Sequence, residues 1–246
     1  MKTNKIIKTG LGVLIFFTLP SLLFFGYMYF KYHEDLPLPN PSPAADFVAH
    51  NMLKTLNYEA YKNTSYIEWT FKKRHHYKWI KPDHYCEVYW KNIQVNLQLN
   101  TPNRSKVLVN NTPIQGPEAE ELIQKAQNYF TNDSFWLIAP YTVFKTGTTR
   151  SLIPLDNNEK GLLVNYPETK TSKGDTYLWM LDANHKPYAF KMWNNLLPID
   201  GLEASWNDWT TSETGALFPR FHNILFFGFE ITDLKTSESL PEITPN

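Results

Sequence analysis

The fold is decided by residues 66–98, which read YIEWTFKKRHHYKWIKPDHYCEVYWKNIQVNLQ. Apolar and polar side chains alternate from 66 to 80, the period of a strand with one buried and one wet face, so we predict a single long strand there. Tight turns at 82–83 and 91–92 continue it into a three-strand antiparallel meander. The predicted pairs are Lys78–Glu87, Tyr77–Val88, Trp79–Cys86, Trp90–Ile93, Val88–Val95 and Cys86–Leu97. Both turns place the same apolar set on one face, and a slip of one residue would destroy this agreement.

Further elements are predicted on both sides of the meander. A short helix opens the domain, capped by Ser42 with Pro43 in its first turn, and a second helix covers about 117–130, where Pro117 and three early glutamates suit the first turn. Strands are predicted near 106–109, 135–138, 161–166, 202–209 and 224–232. A hairpin across 184–185 pairs Leu181 with Tyr188, Trp179 with Phe190 and Tyr177 with Met192.

These elements predict an α+β fold that is mainly antiparallel β, with roughly nine or ten strands in one domain. The domain covers 44–236, and a loose polar tail covers 237–246. A sheet with one aromatic-rich face must have that face covered, and the two helices can cover it. We therefore expect a curved, incomplete β-barrel with two covering helices, preceded by one transmembrane helix.

Composition excludes several classes of protein. The 246 residues include 24 basic and 24 acidic side chains, and 42% of the residues are hydrophobic. A disordered chain lacks this apolar content, and a general nucleic-acid binder carries excess positive charge. The single cysteine excludes an intramolecular disulfide and a four-cysteine zinc site. The unusual feature is the aromatic content of 8 Trp, 14 Tyr and 16 Phe.

The amino terminus predicts a membrane anchor. Residues 10–30 carry no charge, and at ~1.5 Å per residue a helix of this length spans roughly 30 Å of hydrocarbon. Three lysines precede the span, so residues 1–9 are expected to stay in the cytoplasm and the main domain to be exported. Residues 31–43 are proline-rich and predict a semi-rigid spacer, with a proline-motif ligand as the alternative. A cleaved secretory signal is the alternative to an uncleaved anchor.

Candidate chemistry is sparse in this sequence. His75 and His76 are adjacent on a strand and therefore point to opposite faces. His84 and Cys86 share a face and suit zinc, but no further ligand follows the pattern, so a buried free thiol is the simpler interpretation. No phosphate-binding, dinucleotide or hydrolase motif occurs. We predict no catalytic residue, no metal site and no cofactor, although a triad assembled only in space would leave no mark in the sequence.

The aromatic face is the candidate functional feature. One interpretation is an ordinary core. The other is an apolar cavity of the kind that small hydrophobic ligands use. Its predicted lining residues are Trp69, Phe71, Trp79, Trp90, Trp179 and Phe190.

The order of helix, meander and helix, followed by residues 132–141 (NDSFWLIAPY), resembles a group of Gram-negative cell-envelope proteins. That group is similar to the lipoprotein-carrier and lipoprotein-receptor (LolA/LolB-type) superfamily, over about residues 44–234 here. The resemblance implies an incomplete β-barrel closed by helices around a cavity that receives acyl chains. Relatives often carry Asp-Pro-Gly where this chain has Lys145-Thr146-Gly147, and many lack a membrane span.

Together these observations predict a non-catalytic protein of the cell envelope. We expect a single-pass anchor in the cytoplasmic (inner) membrane, with the main domain in the periplasm. The expected partners are the membrane, a lipid acyl chain or another hydrophobic ligand, and no nucleic acid. A protein–protein interaction module without ligand is the first alternative, and a hydrolase is the second.

Overall fold

The structure is a computed structural model that describes residues 2–155, 159–168, 174–194 and 198–240. Its four α-helices in these ranges are α1 (Lys2–Tyr32), α2 (Pro43–Thr55), α3 (Tyr58–Asn63) and α4 (Pro117–Ile138). The strands are β1 (Tyr66–Phe71), β2 (His75–Ile80), β3 (Tyr85–Trp90), β4 (Ile93–Gln98), β5 (Lys106–Val109), β6 (Thr112–Ile114), β7 (Thr149–Pro154), β8 (Lys160–Asn165), β9 (Thr176–Leu181), β10 (Pro187–Trp193), β11 (Leu202–Ser205), β12 (Asn207–Thr211), β13 (Leu217–Ile224) and β14 (Phe227–Ser237).

All of these strands belong to one antiparallel sheet. Its order is β6-β5-β4-β3-β2-β1-β14-β13-β11-β10-β9-β8-β7, and β12 pairs with β13 outside this path. The terminal strands β6 and β7 do not pair with each other, so the sheet is open. The predicted α+β class with a mainly antiparallel sheet is confirmed. The predicted number of strands is too low, because the described residues form 14.

The meander has the predicted register, and all six predicted pairs are present. The single long strand over 66–80 is wrong, because the chain turns back at 72–74 and forms the β1–β2 hairpin. Lys72 and Lys73 take the left-handed backbone conformation there, with φ of 52° and 53°. Trp69 pairs with Tyr77 across this turn, so odd-numbered residues of both strands share a face. The alternation of apolar and polar residues therefore continues through the turn without a change of phase. For this reason the turn cannot be recognised from the alternation.

The second predicted helix is longer than expected. Helix α4 continues to Ile138, so the predicted end near 130 and the predicted strand at 135–138 are both wrong. Short apolar runs such as Phe-Trp-Leu-Ile fit a buried helix turn as well as a strand. The buried positions Ala119, Ala126 and Asp133 are seven residues apart, which places them on one side of the helix.

The carboxyl-terminal half contains the other differences. The predicted pairs Trp179–Phe190 and Tyr177–Met192 are present, but Leu181 pairs with Pro187 because an irregularity between Pro187 and Ala189 shifts the register. Strands β6, β7 and β13 were not predicted. The segment predicted as one strand over 202–209 is divided into β11 and β12, and the last strand runs over Phe227–Ser237 instead of 224–232. Residues 241–246 of the predicted tail lie outside the described residues.

Two helices pack on the sheet. Helix α2 contacts β7 and β8, while α4 contacts β4 and β5 and also β13. The predicted cap of α2 is confirmed, since the Ser42 hydroxyl accepts a hydrogen bond from the Ala45 N–H at 3.3 Å. Helix α4 therefore crosses the sheet from β4 and β5 to β13.

Helix α1 is long and apolar enough over Leu11–Tyr32 to cross a membrane, with mean hydropathy 2.0, although a signal sequence would meet the same criterion. Its end is attached to the sheet. The Glu34 N–H donates to the Asp200 carbonyl oxygen at 2.9 Å, and the Trp193 indole donates to the Glu34 carbonyl oxygen at 2.8 Å. The Lys191 ammonium pairs with the Glu34 carboxylate at 2.5 Å. The predicted spacer at 31–43 thus begins in direct contact with the end of β10.

Candidate functional site: the aromatic face beneath helix α4

The six residues predicted to line a cavity lie in one connected core. Trp69, Trp179 and Phe190 are completely buried, Phe71 and Trp90 are nearly so, and Trp79 is half-buried against them. We call the side of the sheet that carries them the aromatic face. Its first wing is formed by inward side chains of β1–β4, and its second wing by inward side chains of β9–β11, β13 and β14, together with Trp206 between β11 and β12. The sequence therefore identified residues of one core in both wings.

Side chains of α4 contact both wings. On the first wing, the Phe130 ring lies 5.4 Å from that of Trp79 and 6.2 Å from that of Trp69, measured between centroids. On the second wing, Phe135 lies 5.6 Å from Phe190. Trp136 contacts the same wing, with its ring 5.7 Å from Phe190, 6.3 Å from Trp206, 5.2 Å from His222 and 4.8 Å from Phe229. The predicted lining residues are thus packed against rings of α4, and the cavity itself stays a prediction.

Several indole N–H groups in this core have no acceptor. Among the described residues, no hydrogen-bond partner lies within reach of Nε1 of Trp69, Trp79, Trp179 or Trp206. Two other tryptophans differ, since Trp193 donates to the Glu34 carbonyl oxygen and the half-buried Trp209 donates to the Pro187 carbonyl oxygen at 2.9 Å. Buried donors in proteins are nearly always paired, and leaving one unpaired costs free energy. An acceptor brought into this core would therefore gain hydrogen bonds that the protein does not supply.

Trp206 and Trp136 were missed as site residues for different reasons. Trp206 continues the alternating apolar positions Leu202 and Ala204, so the strand period could have placed it on the aromatic face. Trp136 was assigned to a strand, although it lies in the last turns of α4. The ring of Trp206 stacks on that of Trp179, with 5.5 Å between centroids. These residues are 27 positions apart in the sequence, and the order of the strands in the sheet brings them together.

A buried carboxylate fixes α4 to the first wing. Asp133 accepts a hydrogen bond from the Tyr77 hydroxyl at 2.6 Å and another from His75 Nδ1 at 2.7 Å. The His75 ring stacks on Tyr129 of α4 at 3.9 Å. Burial and the neighbouring carboxylate both raise the pKa of Tyr77, so its hydroxyl stays protonated and donates. This contact was missed because Asp133 was placed beyond the predicted end of the helix.

The second wing holds a different histidine. His222 is completely buried among rings, 4.8 Å from that of Trp206 and 5.3 Å from that of Phe229. Its Nδ1 lies 3.0 Å from the Ser205 carbonyl oxygen and donates to it. Burial lowers the pKa of His222 to about 4. The imidazole is therefore neutral at pH 7.

The other candidate ligands of the sequence are separated. His76 faces away from His75, as predicted, and hydrogen-bonds Thr70 at 2.8 Å. His84 is exposed in a left-handed turn with φ of 50°, whereas Cys86 is completely buried opposite Leu97, and burial raises the pKa of its thiol well above the usual value. Within the described ranges, no three His, Cys, Asp or Glu residues group as a metal site would require.

Two clefts lie away from the aromatic face, and none of the six predicted residues lines either one. A cleft of about 400 Å³ lies between β12, β13 and β14 and is lined by Thr210, Thr211, Ser212, Glu213, Arg220, Asp233 and Leu234. A cleft of about 460 Å³ lies beside α2 and α3 and is lined by His50, Leu53, Lys54, Asn57, Tyr58, Glu59 and Phe144. The first is mainly polar and the second mainly apolar in its lining.

Comparisons of the chain with protein-family models, with curated proteins and with solved structures gave no match. The resemblance to the lipoprotein-carrier superfamily therefore rests on the sequence pattern alone.

Proposed function

We propose that this chain is a non-catalytic, membrane-anchored protein of the cell envelope that binds an acyl chain or another apolar ligand between α4 and the aromatic face. In this proposal the open sheet acts as an incomplete barrel, and α2 and α4 act as its covering helices. The proposed ligand is an acyl ester, because it combines an apolar chain with carbonyl acceptors. The resemblance to the lipoprotein-carrier superfamily supports the same ligand class.

The unpaired indoles are the observation that carries the proposal. Trp69, Trp179 and Trp206 are the largest completely buried side chains, and their N–H groups lack acceptors among the described residues. A purely structural core gains nothing from leaving such donors unpaired. An ester carbonyl that enters the core would accept from one of them, and the surrounding rings would bury its acyl chain.

Entry of a ligand requires α4 to move. The amino-terminal half of α4 packs on the core through aliphatic side chains, with Ala119 and Ala126 buried and Leu122 and Ile123 partly buried, and it carries no aromatic ring. The preceding Gly116, at φ 83°, has no side-chain cap to the helix and has open space around it. The carboxyl-terminal half carries Asp133 and the three rings, so it would act as the pivot. We infer that the amino-terminal half lifts while the Asp133 contact keeps the register.

The anchor completes the proposal. Helix α1 would span the cytoplasmic membrane with its amino terminus inside, and the sheet domain would lie on the periplasmic side, because lysines cluster before the span. The attachment of Glu34 to Trp193 would hold the domain close to the bilayer, which is the source of acyl chains. The His75–Asp133–Tyr77 contact has a positioning role for α4 and no catalytic role.

The test is photo-crosslinking of the full chain in vesicles with a palmitoyl ester that carries a diazirine on its chain. The expected result is adducts on peptides from both wings, around Trp69–Trp79 and around Trp179–Phe190, in competition with unlabelled ester. The variant Trp179→Phe removes one unpaired donor and should reduce labelling of the second wing. Its matched control, Trp209→Phe, removes an indole that is already paired and should leave labelling unchanged.

Adducts confined to α1 would contradict the proposal, since any membrane helix meets such a probe. That outcome, combined with specific crosslinks to one envelope protein, would favour the interaction-module alternative.

A further inference from the structure

The antiparallel register brings several turns to the end of the strands at which Glu34, two residues after α1, is attached. We call this end of the sheet the anchor edge. Met192 pairs with Leu202, so β10 ends and β11 begins at this edge, beside the attachment of Glu34. Ala204 pairs with Ile224, and β13 therefore ends at the same edge and turns through residues 225–226 into β14. The turn at 225–226 lies about two strand spacings, or ~10 Å, from β10.

The β1–β2 turn is the next one along the anchor edge. Phe71 pairs with Ile231, and the Lys72 N–H donates to the Glu230 carbonyl oxygen at 3.1 Å, so this turn lies beside the first residues of β14. The Lys72 ammonium lies 4.1 Å from the centroid of the Phe229 ring. The two turns are therefore neighbours.

The side chains of these turns are unusual for a free surface. Phe226 and Phe227 are 68% and 60% exposed, with their rings 4.3 Å apart. The adjacent turn presents Lys72, Lys73 and Arg74, all exposed. An apolar tip beside a basic tip is the combination found where proteins meet the interface of an anionic bilayer.

Acidic side chains also lie at the anchor edge, namely Asp200 and Glu203 beside the start of β11, and Asp133 is close enough to Lys72 to oppose the lowering of its pKa by burial. The three basic side chains of the 72–74 turn still outnumber the acidic side chains beside them. Glu230 pairs with Lys73 at 2.7 Å, and Glu34 pairs with Lys191. Asp35 is exposed beside α1, at the far end of this edge from the basic turn. Among the described residues, no ion pair neutralises Lys72 or Arg74.

We propose that the anchor edge rests on the surface of a bilayer that contains anionic phospholipid, with Phe226 and Phe227 in the interface and the 72–74 turn against the headgroups. The inference rests on the proposed span of α1, because that span sets this edge against the membrane. The anchor edge is continuous with α1, and the positive charge of the basic turn is complementary to anionic headgroups. The contact fixes the orientation of the domain, with the amino-terminal half of α4 free to move.

The test uses the full chain in vesicles and spin labels on introduced cysteines in a Cys86→Ala background. Labels are placed at Phe226→Cys on the anchor edge, at Ala183→Cys in the β9–β10 turn on the opposite edge, and at Phe17→Cys in α1. Accessibility to oxygen and to a water-soluble nickel complex is measured in phosphatidylcholine vesicles with and without phosphatidylglycerol. We expect oxygen to dominate at 17 and 226, and the nickel complex to dominate at 183.

The charge contribution is tested separately. The triple variant Lys72→Gln/Lys73→Gln/Arg74→Gln should return the label at 226 toward the nickel-accessible state in vesicles with phosphatidylglycerol. The matched control Arg104→Gln/Lys106→Gln removes charge from the opposite edge and should leave the label immersed.

The outcomes separate this contact from the proposed function. An immersed label at 17 with a water-exposed label at 226 overturns the contact and leaves the anchor intact. A water-exposed label at 17 overturns both the anchor and the contact. If the label at 226 is immersed to the same extent with and without phosphatidylglycerol, and in the triple variant as in the wild type, the role of anionic lipid is overturned. Crosslinking of the palmitoyl ester to the aromatic face is independent of all three results.

Discussion

The two wings of the aromatic face hold α4 in different ways. The first wing fixes the helix through Asp133, whose carboxylate accepts from Tyr77 and His75. The second wing offers only rings and the neutral His222 to Phe135 and Trp136. Directional hydrogen bonds fix the register of a helix, whereas ring packing supplies most of the stabilising free energy. Both wings pack rings against α4, since Phe130 lies on Trp69 and Trp79 in the first wing. The first wing differs because it adds a buried carboxylate that fixes the register of the helix.

The largest expected effect is Trp206→Ala in the second wing. Trp206 is almost completely buried, and its ring lies 5.2 Å from Phe190 and 5.5 Å from Trp179. We expect a loss of about 3–5 kcal/mol in the free energy of unfolding, because the cavity adds to the lost burial. Denaturant unfolding measures it, with the half-buried Trp209→Ala as the milder control. A loss smaller than that of Asp133→Ala in the first wing would reverse the order of the wings.

The next effect is a dependence of the free energy of unfolding on pH, caused by His222. Its folded-state pKa of about 4 lies below the usual 6.5, so the unfolded chain binds the proton first. The stabilisation is complete above pH 6.5 and is lost as the pH falls toward 4, by a total on the order of 3 kcal/mol. Unfolding of the wild type and of His222→Phe should be compared across this window. An equal slope in both proteins would show that another group causes it.

In the first wing, Asp133→Ala should cost about 2–3 kcal/mol, because it leaves the buried Tyr77 hydroxyl and the partly buried His75 N–H without their acceptor. Tyr77→Phe should cost about 1 kcal/mol, since Asp133 keeps one donor. The double variant measures the coupling between the two side chains. Strictly additive losses would contradict a direct hydrogen bond between them.

Ligand labelling should separate the wings more sharply than stability does. Asp133→Ala removes the contact that keeps the register while α4 lifts, so we expect labelling of the aromatic face by the palmitoyl ester to become slower. Faster labelling would show that the Asp133 contact closes the site instead of serving as the pivot of α4.

The sequence was sufficient to predict the fold where the structure depends on a local pattern of residues. The register of β2, β3 and β4 followed from two tight turns, and Ser42 marked the start of α2. The turn at 72–74 stayed hidden because Trp69 pairs with Tyr77 and keeps the phase. The run 135–138 fits either a strand or a buried helix turn.

The site was predictable only in part for the same reason. Strand period placed the six aromatic residues on one face. The rings of α4 and the contact of Asp133 with His75, 58 positions earlier, depend on tertiary packing that no local pattern records. The basic turn was missed although Lys72, Lys73 and Arg74 are consecutive in the sequence, because residues 66–80 were predicted as one strand and no turn was expected there.

The most direct measurement is the NMR spectrum of the indole N–H groups during titration with a palmitoyl ester. The full chain is labelled with ¹⁵N-tryptophan and held in lipid nanodiscs. Hydrogen bonding moves an indole proton downfield. The account predicts downfield shifts for one or more of Trp69, Trp179 and Trp206, and unchanged signals for Trp193 and Trp209, which are already paired. Saturating ester that leaves the three core signals in place would contradict it.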